Sequence, residues 1–135
     1  MLDNEALTIP VEKICYVISK IRQFDAKDVL TDPGSGSNAS DDDMRSILED
    51  HRSDPVLAEL ESTISDMNED EQIDLVTLAW LGRGDGGEAD WEELRAEAAR
   101  AHNNRTFEYL SGIPLLGDYL EAGMEAFGLS CEGLE

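Results

Sequence analysis

The residues best suited to bind a ligand lie between positions 80 and 109. This stretch contains four of the seven arginines, namely Arg83, Arg95, Arg100 and Arg105. The chain around it is strongly acidic, with 31 Asp and Glu residues against 10 Lys and Arg. Arg95 and His102 are seven residues apart, so on a helix both would project from one side. Together with a helix N-terminus near Asp90, guanidinium groups and an imidazole would suit a small carboxylate or phosphate.

One hypothesis from these residues is a pocket for a small anion near residues 82–89, held second to the interaction module favoured below. We expect its lining to include Trp80, Arg83, Asp85, Arg95, His102, Arg105 and Tyr109. The alternative interpretation is structural: the arginines neutralise neighbours such as Asp85, Glu92 and Glu97, each exposed pair contributing well under about 1 kcal/mol. A histidine placed like His102 is more often satisfied by carbonyls at a helix end than used as a general base.

The glycine-rich segment WLGRGDGG, residues 80–87, matches neither a phosphate loop nor a calcium loop. A Walker loop needs a preceding strand and a final Gly-Lys-Ser/Thr, whereas this segment continues with the letters EA. Counted as an EF-hand from Asp85, it places Ala96 where the bidentate glutamate is required. The tripeptide RGD at 83–85 matches an adhesion motif that arises readily by chance. We interpret residues 82–89 as a link that lets two helices fold back on each other.

The sequence contains no other pattern for catalysis or metal binding. His51 and His102 are the only histidines, and there is no cysteine cluster, Glu-x-x-His pair or HExxH motif. No metal or cofactor is therefore expected. The acidic triplet at 41–43 is explained by the dipole of a helix N-terminus. Neither a serine nucleophile elbow nor a Cys/His pair can be assembled, so an enzymatic function is not favoured.

The formal net charge of -21 restricts the possible partners. Such a field repels phosphates, so binding to nucleic acid or to an anionic membrane is disfavoured, whereas a basic protein partner is permitted. The acidity could also serve only to keep the protein solvated. A third hypothesis is a mimic of nucleic acid, which needs a row of carboxylates on one face. Its candidates are Asp66, Glu69, Asp70, Glu71 and Asp74.

The two cysteines, Cys15 and Cys131, sit near opposite ends of the chain. Cys15 falls among the apolar positions of the first helix and Cys131 in a tail expected to be exposed, so a disulfide is not predicted. The N-terminus lacks a basic residue followed by an apolar run, and nowhere do 18 apolar residues occur together. We therefore expect a cytoplasmic protein that does not cross a membrane.

Helix signals recur along the chain and strand alternation is nearly absent. The sequence predicts a single all-α domain, residues 1–135, with about six or seven helices. The helix beginning near residue 69 carries apolar side chains around nearly its whole circumference, so it should lie buried at the centre and end at Gly82. The Gly/Ser-rich stretch at 31–40 should be a mobile loop, and residues 129–135 a short tail.

Capping residues and prolines predict where the helices begin. The predicted starts are Thr8 with Pro10, Ser40 with Asp43, Asp54 with Pro55, Asn68 with Glu71, Asp90 with Glu93, Thr106, and Pro114. The last helix carries more apolar residues than one face requires, and Gly117 and Gly123 would let another helix come close. We therefore favour an interaction or regulatory module, either a homodimer through the last helix or bound to another partner.

The segments LAWLGRGD, residues 78–85, and AHNNRTFEYLSGIPLLGDYLEAGMEAFG, residues 101–128, resemble the bacterial domain-of-unknown-function family 3775. The resemblance covers roughly residues 60–128 and implies a small cytoplasmic bacterial protein with no assigned activity. Its distinctive positions here are Trp80, Leu81, Gly82, Arg83, Gly84, Asp85, Tyr109, Pro114, Asp118, Tyr119 and Gly123. If the two segments pack together, Arg83 and Asp85 should meet Tyr109 in one polar corner, which is either a structural latch or a binding site.

Overall fold

The computed structural model describes residues 2–31 and 55–132. The helices in these residues are α1 (Val11–Thr31), α2 (Pro55–Ser65), α3 (Glu69–Arg83), α4 (Trp91–Ala101), α5 (Thr106–Ser111) and α6 (Leu116–Glu125), with short 3-10 turns at Asn4–Ala6 and Glu88–Asp90. No strand occurs within the described ranges, so the all-α prediction is confirmed. The loop predicted at 31–40, apart from residue 31, and the helix predicted from Ser40 lie outside the described residues.

Helix α3 is the central element of the fold. It packs against α6 most extensively, and also against α4 and α5. Its predicted capping box is confirmed, because the Asn68 side chain accepts from the Glu71 backbone N–H at 2.8 Å and the Glu71 carboxylate accepts from the Asn68 N–H at 3.0 Å. Most of its side chains are buried, but Val76 and Trp80 are only half-buried. One side of this helix therefore reaches the surface.

The core joins the apolar faces of α1, α2, α3 and α6. Ile14 and Ile21 of α1, Leu60 of α2 and Leu78 of α3 are among the largest fully buried side chains. Burial of a side chain of this size stabilises the folded state by about 1.5 to 3 kcal/mol. The ring of Trp91, the first residue of α4, stands edge-on to Phe127 with centroids 4.9 Å apart, which fixes the start of α4 against the end of the chain.

Helices α3 and α6 approach so closely that only glycine fits at the contact. A Cβ built on Gly82 would overlap the carbonyl oxygen of Tyr119, and one built on Gly123 would lie 2.5 Å from the carbonyl oxygen of Leu78. The prediction that Gly82 ends the central helix is wrong. The helix continues to Arg83, and its left-handed C-cap is Gly84, with φ of 97°. Gly82 serves interhelical packing instead.

The apolar stripe of the last helix is used inside the chain. Helix α6 begins at Leu116, two residues later than predicted. Leu116, Leu120 and Met124 are fully buried, and the Cα of Gly117 lies against the side chain of Arg22 in α1. The surplus of apolar residues that predicted a homodimer is therefore largely taken up by the core.

The cysteines form a disulfide between α1 and the C-terminal segment, contrary to the sequence-based prediction. Cys15 and Cys131 are both buried, and their Cα atoms are 5.6 Å apart. The prediction failed because Cys131 was expected in an exposed tail, whereas the chain after α6 folds back over the core and places this side chain against Met124. The cysteines therefore give no support to the expected cytoplasmic location.

Local signals located several helix starts, including that of α4 directly after Asp90. Helices α2 and α5 begin at Pro55 and Thr106, as predicted. The capping box predicted for Asp90 and Glu93 does not form, because the Asp90 carboxylate turns back and accepts from the Gly87 N–H at 2.9 Å. None of the helices in the described ranges is both long enough and apolar enough to span a membrane.

Candidate functional site

A groove of about 410 Å³ opens between α3, the C-terminal end of α4, and α5. The wall that α3 contributes consists of Ile73, Val76 and Trp80, which follow one another at helical spacing. The complete lining is Ile73, Val76, Trp80, Ala98, Ala101, His102, Asn103, Arg105, Thr106, Glu108 and Tyr109. The walls are mainly apolar and the rim is polar.

The groove exists because α4 presents only methyl groups at this point. Ala98 and Ala101 face the half-buried side chains of α3, and neither is long enough to fill the space between the helices. Helix α5 has only six residues, so it closes the groove at one end without covering it. Larger residues at the two alanine positions would remove the cavity.

A polar corner fixes Trp80 at the edge of the groove. Its Nε1 donates to the hydroxyl of Tyr109 at 2.8 Å, which ties α3 to α5. Arg83 donates from Nη2 to Asp85 at 2.6 Å and from Nε to the same oxygen at 3.1 Å. The hydrogen bond to Asp85 raises the pKa of Arg83, with a smaller contribution from Tyr109. Arg83 thus lies between Asp85 and Tyr109, and the hydrogen bond from Trp80 to Tyr109 orients the indole ring.

The opposite end of the groove is fixed by Gln72 of α3. Its amide nitrogen donates to the carbonyl oxygen of Ile64 at 2.8 Å, which leaves its Oε1 as an acceptor for His102 Nε2 at 2.7 Å. His102 in its neutral form therefore carries its hydrogen on Nε2. Nδ1 lies 3.6 Å from the carboxylate of Glu69. The imidazole joins α3 to the end of α4 and presents one edge to the groove.

Arg95 lies outside the groove because buried Asp74 holds it. The Asp74 carboxylate has no exposed surface and accepts from Arg95 Nε at 2.6 Å. It also accepts from the backbone N–H groups of Thr8 at 2.5 Å and Ile9 at 3.3 Å. The hydrogen bond to Asp74 is the main reason that the pKa of Arg95 is raised, and Asp70 adds to it. Arg95 projects onto α3 from the same side of α4 as His102, as expected, but it anchors the N-terminal segment.

Replacing Asp74 with alanine should lower the free energy of unfolding by about 2 to 3 kcal/mol, because the change removes the acceptor of the buried Ile9 N–H, of the Thr8 N–H and of a partly buried guanidinium. Asp70→Ala is the matched control, since this exposed carboxylate contacts Arg95 only at 3.4 Å and its loss should change stability by less than about 0.5 kcal/mol. Urea unfolding followed by circular dichroism measures both. Equal effects of the two variants would contradict the structural role of Asp74.

A second depression, of about 520 Å³, adjoins the groove beside the 82–90 link. Its lining is Trp80, Arg83, Asp85, Asp90, Glu93, Leu94 and Glu97. It therefore contains four carboxylates and one guanidinium, and that guanidinium is already paired with Asp85. Trp80 lines both depressions and forms the wall that they share.

The structure thus separates the seven residues predicted to bind a ligand. Trp80, His102, Arg105 and Tyr109 line the groove; Trp80, Arg83 and Asp85 line the acidic depression. Arg95 lines neither. Arg105 is exposed on the rim, with Nε 3.6 Å from Glu108. Each arginine of the anion-pocket hypothesis therefore has a carboxylate partner within the chain.

Sequence reasoning missed the two alanines and Gln72. Ala98 is buried, whereas Ala101 is exposed. The sequence does contain a signal for the groove: two alanines three residues apart on a helix that packs against one with large apolar residues leave space between the two helices. Gln72 carries no signal in the sequence, because its role depends on contacts with Ile64 and His102, 8 and 30 residues away.

Comparison with known proteins identifies a family, but no activity is assigned to that family. The family described as a protein of unknown function, DUF3775, matches residues 57–129. No curated protein and no solved structure matches the chain. The matched range begins in α2 and contains both depressions and the polar corner. In the described part of the chain, no three His, Cys, Asp or Glu side chains are grouped so as to hold a metal ion.

Proposed function

The chain belongs to the DUF3775 family of proteins of unknown function, so we propose its function from its geometry. The protein is an interaction module that binds an apolar group in the groove between α3, α4 and α5. The observation that carries this proposal is the groove itself. Its volume of about 410 Å³ lies in the range of cavities that take small ligands or side-chain anchors. Its apolar walls and polar rim are the usual composition of such sites.

Trp80 supports the proposal because it has the properties of an interface anchor. Tryptophan is enriched among the residues that dominate binding energies. Here its ring is half-buried, and the hydrogen bond to Tyr109 holds it in one orientation. A ring that is fixed before binding loses little conformational freedom when a partner covers it. Trp80 can therefore contribute favourable contact area at small entropic cost.

The two alternatives raised by the sequence have less support. A pocket for a small anion would use Arg83, Arg95 and Arg105, but each guanidinium is paired with a carboxylate of the same chain. A nucleic-acid mimic would need its carboxylates on the surface, but Glu71 and Asp74 are buried. Binding of an apolar group in the groove requires neither unpaired arginines nor a row of exposed carboxylates.

The homodimer and the cytoplasmic location stay predictions. Leu115, which directly precedes the last helix, is 59% exposed and has a left-handed φ of 63°, whereas Leu116, Leu120 and Met124 of the helix itself are fully buried. The location has no support from the cysteines, which are joined. The proposal of an interaction module depends on neither of them.

Filling the groove should abolish binding of small apolar probes. We expect indole and n-hexanol to bind wild-type protein with dissociation constants on the order of 1 mM. In ¹H–¹⁵N NMR spectra the shift changes should centre on Trp80, Val76 and Ala101. Ala101→Leu places a larger side chain in the groove, and leucine suits an exposed helix position nearly as well as alanine.

Ala99→Leu is the matched control, because Ala99 is exposed on the same helix and does not line the groove. This variant should bind both probes like wild type. If the probes perturbed a different surface, or if Ala101→Leu bound them as well as Ala99→Leu, the groove would not be the binding site.

A further inference from the structure

We infer that the groove, if it binds as proposed above, takes the apolar face of a basic amphipathic helix from another protein, whose Lys or Arg side chains reach the adjoining acidic depression. The inference rests on the proposed function and adds the chemistry of the partner. It follows from three features: the wall that the two depressions share, the charge beside the groove, and the kind of backbone that the surface accommodates.

The shared wall places apolar and acidic surface within reach of one helix. Trp80 separates the two depressions, so their distance apart is about the width of one side chain. A helix with its side chains is about 10 to 12 Å across. If it inserts an apolar residue between Val76 and Ala101, residues on its flank pass over the indole ring. A lysine or arginine there meets the carboxylates beyond Trp80 and can also stack on the ring face.

The negative charge beside the groove favours a partner helix with positively charged side chains next to its apolar face. Asp85, Asp90, Glu93 and Glu97 line the acidic depression, and Arg83 is the only cation among its lining residues. On the other side of the groove, Glu108 lies 3.6 Å from Arg105, so that part of the rim carries balanced charge. The formal net charge of -21 should also steer basic partners towards the protein and repel acidic ones. An apolar cleft bordered by carboxylates on the side of the acidic depression thus complements a helix with a basic flank.

A helix fits this surface better than an extended peptide. Extended partners usually bind by adding a strand to an exposed sheet edge, where backbone hydrogen bonds supply the affinity. The described part of the chain has no sheet, so that mode is not open to it. A helix satisfies its own backbone groups and binds through side chains at i, i+3, i+4 and i+7. These side chains can occupy the groove between α3, α4 and α5.

The test uses two synthetic helical peptides of about four turns, one of leucine and lysine and one in which every lysine is glutamine. Isothermal titration calorimetry at about 20 mM salt should give a dissociation constant on the order of 10 µM for the Leu/Lys peptide. The Leu/Gln peptide should bind about tenfold more weakly. Raising the salt to about 500 mM should remove most of this difference, because rim charges are screened.

Two pairs of variants locate the contacts. Glu93→Gln with Glu97→Gln should weaken the Leu/Lys peptide about three- to tenfold and leave the Leu/Gln peptide unchanged. Glu92→Gln with Glu125→Gln removes the same charge at exposed positions outside both depressions, and should have a much smaller effect. Ala101→Leu should block both peptides, and Ala99→Leu should block neither.

Failure of the inference can be told apart from failure of the proposed function. If both peptides bound equally well, or if the two double variants had equal effects, the basic partner would be ruled out while the apolar groove stood. The same conclusion would follow if indole bound in the groove and neither peptide did. If Ala101→Leu left indole and both peptides unaffected, the proposed function itself would be overturned.

Discussion

Replacing Gly82 with alanine is expected to lower the free energy of unfolding by about 3 to 4 kcal/mol, at the upper end of the range for overpacking. The added methyl group would overlap the backbone carbonyl of Tyr119, and its next contact would be the backbone nitrogen of Gly123 at 3.0 Å. Backbone atoms cannot rotate away as a side chain can, so α3 and α6 must move apart. Thermal unfolding followed by circular dichroism should show a Tm lower by about 10 °C or more.

Two other glycines of the same segment provide graded controls. Gly84 has a φ of 97° and open space around its Cα, so Gly84→Ala should cost about 1 kcal/mol for the left-handed backbone alone. Gly87 has a φ of -98° and no atom within 4 Å of a built Cβ, so Gly87→Ala should be close to neutral. Similar losses in Gly82→Ala and Gly87→Ala would contradict the close packing of α3 on α6.

Reducing the Cys15–Cys131 disulfide is expected to lower the free energy of unfolding by about 4 kcal/mol. The bond joins residues 116 positions apart, so it restricts nearly the whole unfolded chain. In the chain-entropy account, long loops of this kind give the largest stabilisation. Urea unfolding with and without a reducing agent should show a clear decrease in the midpoint under reducing conditions.

The double variant Cys15→Ala with Cys131→Ala is the control for the reductant. It should unfold at about the midpoint of the reduced wild-type protein and should not respond to the reducing agent. A thiol assay on denatured, unreduced wild type should detect no free cysteine. Two free thiols per chain, or a midpoint independent of reductant, would show that the bond does not form.

The features predicted correctly are those that depend on neighbouring residues. Asn68 and Glu71 are three positions apart, and their reciprocal hydrogen bonds form within one turn of α3. Pro55 and Thr106 begin helices for equally local reasons. The all-α fold followed from the same kind of signal, because helical periodicity repeats in each segment.

Two of the wrong predictions depend on residues far apart in the chain. Gly82 and Gly84 are equally plausible helix ends in the sequence, and only the approach of Tyr119 assigns the first of them to packing. The pairing of Cys15 with Cys131 depends on the return of the C-terminal segment over the core. Neither contact leaves a local pattern.

The same distinction explains which site residues the structure brings together. Trp80 and Tyr109, which belong to the two distinctive segments, meet at the groove. Arg95 projects from the expected side of α4, but buried Asp74 captures it because that carboxylate must have a partner away from water. The groove itself depends on the small size of Ala101 and Ala98, which sequence analysis treats as unremarkable helix residues.

The most direct test of the central claim is an isotope-filtered NMR experiment on the protein with the Leu/Lys peptide. The account predicts nuclear Overhauser contacts from the leucine methyl groups of the peptide to the indole of Trp80 and the methyl groups of Val76 and Ala101. Contacts to the exposed Leu115 instead, with none to Trp80, would contradict it.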